Sequence, residues 1–82
     1  MKTMKIKLAT VEEAKDFVNA AARCDFDVNV SYNHVIIDAK SILGVFSMDL
    51  RQVLTVSMNG DDETFEDYLR TLAPVSEMRR IA

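Results

Sequence analysis

The sequence predicts an α+β domain of order β-α-β-β-α-β-α, with a largely antiparallel sheet covered by helices on one face. Three observations lead there. Apolar residues alternate with period two in "MKIKLA", "DVNVSY" and "VLTVSM", the mark of half-buried strands. The spacing changes to a helical one in "TVEEAKDFVNAAARC" and after "NGDD". A two-residue turn, Asn33-His34, joins "DVNVSY" directly to "VIID", and so short a connection makes that pair antiparallel.

Met4, Ile6 and Leu8 point one way in the first strand and Lys5 and Lys7 the other. Thr10, with Glu13 three residues on, reads as a capping box, and Glu12 and Glu13 suit the positive end of the helix dipole. The apolar stripe Val11, Ala14, Phe17, Val18 and Ala21 predicts a helix over 11–23. Val28, Val30 and Tyr32 share a face of the second strand, and Asn33 tolerates the positive φ of a tight hairpin. Ser41 is placed to cap a short second helix. Leu54, Val56 and Met58 alternate along the last strand, which Asn59-Gly60 ends. Asp61 or Asp62 caps a final helix, with Phe65, Tyr68, Leu69 and Leu72 buried and Pro74 as its stop. Residues 75–82 read as a loose tail to one domain spanning 1–82.

Composition narrows the function. With 82 residues, 49% apolar, most of the apolar side chains are needed for the core. The net charge is −3 with both signs scattered, which argues against nucleic acid as a partner. No apolar run approaches the ~18 residues of a membrane span, and "MKTMKIKLA" is charged where a signal peptide is apolar. A single cysteine, Cys24, rules out an internal disulfide and a cysteine-cluster metal site and fits a reducing, cytoplasmic setting. Neither a metal nor a cofactor is expected. Gly44 and Gly60 are the only glycines, so there is no glycine-rich phosphate loop; His34, the only histidine, has no evident partner for catalysis or ligation. The acids of "NGDDETFEDY" lack the spacing of a calcium loop and read as a helix cap and a solvated face. No enzyme is indicated.

The informative stretch is "AKSILGVFSMDL", 39–50. Ser41 as a plain cap accepts a backbone N–H; the same position suits a phosphoserine, with Lys40 available to pair with it. Ile42, Leu43, Val45, Phe46, Met48 and Leu50 exceed what a short helix can turn toward one core. The excess reads either as a docking patch for a protein partner or as loose core under a turn.

"DVNVSYNHVIIDAKSILGVFSM" resembles the HPr family of the bacterial sugar phosphotransferase system. Lys40, Ser41, Ile42, Gly44, Val45 and Ser47 match the family's K-S-I-x-G-V-x-S run, and the likeness extends over about residues 4–72. It implies an open-faced β-sandwich: a four-stranded antiparallel sheet with helices on one face. It also implies that Ser41 is a regulatory phosphosite for an HPr serine kinase. Lys40, Ile42, Leu43, Phe46 and Ser47 would then form a surface for phosphotransferase or catabolite-regulatory proteins. The family's phosphocarrier histidine lies in a Gly-x-His-x-Arg-Pro motif at the first helix start. This chain has "LATVEEA" there, with Thr10 nearest the histidine position. The expectation is a regulatory or adaptor protein without histidine phosphocarrier activity. The alternative is a constitutive binding or dimerisation module that is never phosphorylated.

Overall fold

The computed structural model describes residues 2–50 and 52–74. The tail expected over 75–82, with Arg79 and Arg80, lies outside them. The elements follow the predicted order: β1 (Lys2–Ile6), α1 (Val11–Ala22), β2 (Val28–Tyr32), β3 (Val35–Asp38), α2 (Ile42–Phe46), β4 (Leu54–Met58) and α3 (Glu63–Thr71). The four strands form one sheet in the order β1-β4-β2-β3, antiparallel throughout.

Period two assigns the faces. Ile6, Val28, Val30, Leu54, Val56 and Met58 are buried on the helix side. On the other side Lys5 pairs with Thr55, Thr55 with Ser31, and Ser31 with Ile36, a row that is polar except at Ile36. Ala14, Phe17, Val18 and Ala21 of α1, Val45 of α2, and Phe65 and Leu69 of α3 join the strand residues in one core. The Phe17 and Phe65 rings lie 6.4 Å apart where α1 meets α3. This is the open-faced arrangement the sequence implies.

The turns carry the expected chemistry. Asn33 takes φ 52° in the hairpin, the only described non-glycine residue with positive φ, and a short polar side chain tolerates that conformation. The Asp62 carboxylate accepts the Phe65 N–H and caps α3, so it is Asp62 and not Asp61 that starts the helix. Gly60 lies against the Phe26 ring so closely that a Cβ would strike it.

Three details depart from the sequence reading. Val11 is 57% exposed. It opens the helix, and helical side chains lean toward the N-terminus, which here puts Val11 beyond the core. The helix closes at Ala22, with Arg23 as its C-cap. Glu66, placed by its neighbours on a solvated face, is buried, and its carboxylate lies 3.2 Å from the Lys2 ammonium. Lys2 also pairs with Asp61 at 2.8 Å, tying the start of β1 to the start of α3.

Candidate functional site

The second helix is held at both ends by hydrogen bonds that its own sequence supplies. Before it, the Asp38 carboxylate accepts the Lys40 N–H at 2.9 Å and the Asp38 carbonyl accepts the Ser41 N–H at 3.0 Å, the self-bonded turn that aspartate favours. Ser41 has extended backbone and its Oγ accepts the Gly44 N–H at 3.2 Å, as an N-cap should. At the far end Ser47 Oγ donates to the Gly44 carbonyl at 2.6 Å. Past the helix, the Asp49 N–H donates to the Tyr32 hydroxyl at 3.4 Å, linking the segment to β2.

The apolar residues divide cleanly. Val45 and Met48 are buried, and Leu50 is half-buried against the core. Ile42 is 38%, Leu43 80% and Phe46 38% exposed. The surplus seen in the sequence is therefore solvent-facing, and it lies on the helix that exposed Ser41 begins. Ser47 is exposed as well.

Lys40, available in the sequence to pair with a phosphate on Ser41, is engaged elsewhere in this structure. It is half-buried, and its ammonium donates to the Cys24 carbonyl at 2.9 Å. It thereby ties the end of α1 to the approach to α2. Cys24 is buried, its thiol directed at the Ala20 carbonyl. Burial first, and the Asp62 charge second, push its pKa up; a thiol held protonated in this way is a packing group and not a nucleophile.

At the start of α1, Thr10 is exposed and its Oγ1 accepts the Glu13 N–H at 3.1 Å. The Glu13 carboxylate accepts the Ala9 N–H at 2.7 Å. This is a capping box with its return bond one residue earlier than the usual partner. With Glu12 also in the first turn, the end of the helix presents carboxylates. His34 is exposed in the β2–β3 turn. Among the described residues no group of three His, Cys, Asp or Glu side chains is placed to hold a metal ion. No described helix is long and apolar enough to cross a membrane.

Two site features escaped the sequence reading. Asp38, which fixes the approach to Ser41, was signalled only by an aspartate two residues before a Lys-Ser pair. Gly44 lies so close to Ile37 of β3 that a Cβ would strike it, a contact with another element that no local pattern reveals.

A family model described as the PTS HPr component phosphorylation site matches residues 10–75. The chain belongs to the HPr family. Two solved HPr structures resemble it closely in fold. HPr-C-His from Thermoanaerobacter tengcongensis superposes with a TM-score of 0.73 at 26% identity, covering 87% of this chain and 89% of that one. The phosphocarrier protein HPr from Bacillus anthracis str. Ames superposes with a TM-score of 0.69 at 21% identity, covering 89% and 96%. The α+β open sheet is thus the HPr fold, and the HPr-like resemblance of the 27–48 run is established at the level of the family.

Proposed function

We propose that this HPr-family chain is a cytoplasmic regulatory or adaptor protein of the sugar phosphotransferase system that docks protein partners through α2 and carries no phosphoryl group on histidine. The observation that carries the reading is the solvent-facing set Ile42, Leu43 and Phe46 on a helix capped by exposed Ser41. Ser41 is the regulatory phosphosite. A phosphate there adds about two negative charges beside Ile42 and Leu43, weakening apolar docking and favouring partners that present arginine.

The start of α1 supports the loss of the carrier role. A phosphoryl acceptor at a helix N-terminus depends on free N–H groups and nearby positive charge. Here Thr10 takes the Glu13 N–H of the first turn, Glu13 folds back onto the Ala9 N–H just before the helix, and Glu12 and Glu13 supply negative charge where positive charge would be needed. The only histidine lies in the β2–β3 turn instead.

Two labelling reactions test the proposal. Incubation with the general phosphotransferase enzyme and labelled phosphoenolpyruvate should leave the chain unlabelled; a stable label on Thr10 or His34 sinks the reading. Incubation with an HPr serine kinase and labelled ATP should modify Ser41, and Ser41→Ala should remove that label. An unmodified Ser41 favours the second reading, a constitutive binding module, which the outward Leu43 supports without any modification.

A further inference from the structure

The two edges of the sheet are finished differently. Ala39 N–H donates to the Val28 carbonyl at 2.9 Å, so backbone groups at every second residue of this segment, 35, 37 and 39, face β2. By the alternation of antiparallel ladders, those of Ile36 and Asp38 face outward. Among the described residues no strand pairs with that side. On the opposite edge the outward residues of β1 are Thr3 and Lys5, and the next outward N–H, that of Lys7, is taken by the Leu72 carbonyl at 2.8 Å. Lysine and a covering segment are the usual protections of a sheet edge. Among the described residues the β3 edge has no lysine and no covering segment over Ile36; only its far end is capped, where the Ser41 N–H takes the outward Asp38 carbonyl at 3.0 Å, and it presents Val35 at 40% and Ile36 at 71% exposure.

We infer that the β3 edge pairs antiparallel with the β3 edge of a second copy of this chain, about a two-fold axis through Ile36. The register follows from the faces. A two-fold axis perpendicular to the sheet keeps each face on its own side, so only residues of like parity can lie opposite one another. Centring on Ile36 sets the two Ile36 side chains together on the open face, and each Val35 opposite the second copy's Ile37 on the helix side. It also brings His34, at the end of the turn, opposite the second copy's Asp38, twice by symmetry. The outward backbone groups of Ile36 then satisfy one another, and the Asp38 N–H meets the second copy's His34 carbonyl. The imidazole meets a carboxylate that, among the described residues, bonds only the Lys40 N–H. Neighbouring registers of the same parity lose this match. Centring on Ile37, for example, sets exposed Ile36 against Asp38. Self-complementarity of this kind is what an isologous dimer requires, and its small size makes the association weak and concentration-dependent.

Sedimentation equilibrium of the full chain, from low micromolar to about millimolar, is the test. A monomer–dimer equilibrium is expected. Ile36→Pro removes the outward N–H, which an edge strand tolerates, and should leave a folded monomer by circular dichroism. His34→Lys should tighten the dimer and His34→Asp weaken it, each by about threefold to tenfold across the two symmetric contacts. Strict monomer at millimolar concentration, or a dimer that survives Ile36→Pro, overturns the inference. So does a dimer that Leu43→Asp alone abolishes, which would place the contact on α2. Should Ile36→Pro fail to fold, the His34 pair decides: opposite shifts support the β3 edge, and equal or absent shifts refute it.

Discussion

Gly44 of α2 sits over Ile37 of β3 so closely that a Cβ added to it would lie 2.7 Å from Ile37 Cγ2. That methyl belongs to a β-branched side chain with little rotamer freedom, so it cannot swing aside cheaply. Gly44→Ala gains up to about 1 kcal/mol of helix propensity and suffers overpacking of about 1–3 kcal/mol. The expected net result is a loss of stability on urea denaturation. Ile37→Ala removes the opposing methyl, so the double variant should be less unstable than the two single losses added together. Strict additivity would mean that α2 does not press on β3 through this pair.

The capping box at Thr10 makes a second prediction. Thr10→Ala should cost about 1 kcal/mol, since the Glu13 N–H loses its acceptor. Thr10→Ser should keep most of that stability. Denaturant midpoints with an unchanged slope would locate the effect in the native helix. Equal loss in both variants would show that the methyl group, and not the oxygen, is responsible.

Tyr68 supplies a pH-dependent prediction. Its hydroxyl is buried without a hydrogen-bond partner among the described residues, and its pKa is pushed up to about 12, by burial first and then by the Asp16 and Glu13 charges. Between pH 10 and about 12 the unfolded chain has released this proton and the folded chain has kept it, so stability falls as pH rises across that window. Below pH 10 the contribution is constant. Tyr68→Phe removes an unsatisfied buried group, with an expected gain on the order of 1 kcal/mol at neutral pH, and should flatten part of the alkaline loss. Lys2, raised by its bonds to Asp61 and then Glu66, also loses its stabilising contribution as pH climbs above 10.5, so a residual slope in Tyr68→Phe is expected. An unaltered alkaline profile would contradict the burial of this hydroxyl.

The docking surface and its switch can be separated by substitution. Leu43→Asp should leave the unfolding free energy within about 0.5 kcal/mol, because the side chain is solvent-facing, while abolishing partner binding measured by titration calorimetry. Ser41→Ala should cost about 1 kcal/mol through the lost cap and remove only the phosphorylation-dependent part of binding. If Leu43→Asp binds normally, α2 is not the docking surface.

Most of the fold was legible because local patterns and tertiary packing agree. Val28, Val30, Leu54, Val56 and Met58 alternate in sequence and are buried in the structure, and Ser41, Thr10 and Asp62 cap the helices they precede. The candidate site was legible as a surplus: the sequence showed that α2 had too many apolar residues, and the structure sorted Val45 inward and Leu43 outward. What stayed hidden depends on distant partners. Glu66 looked solvated because its ammonium partner, Lys2, is 64 residues away. The Lys40 ammonium's bond to the Cys24 carbonyl, 16 residues away, was likewise invisible in the sequence. Val11 matched the stripe's period, but period alone does not say where a stripe leaves the core.

The one-sided core has a consequence for how this chain can change. In β2 and β4 the residues at Asn29, Ser31, Thr55 and Ser57 fill no interior space, while those on either side of each are buried or packed against the core. Substitutions at every second strand position therefore meet water and their cross-strand neighbours on the open face, and not the packed interior. The open face can drift in chemistry while the helix-covered face is held, which leaves half of each central strand as raw material for new surfaces that the fold itself does not resist.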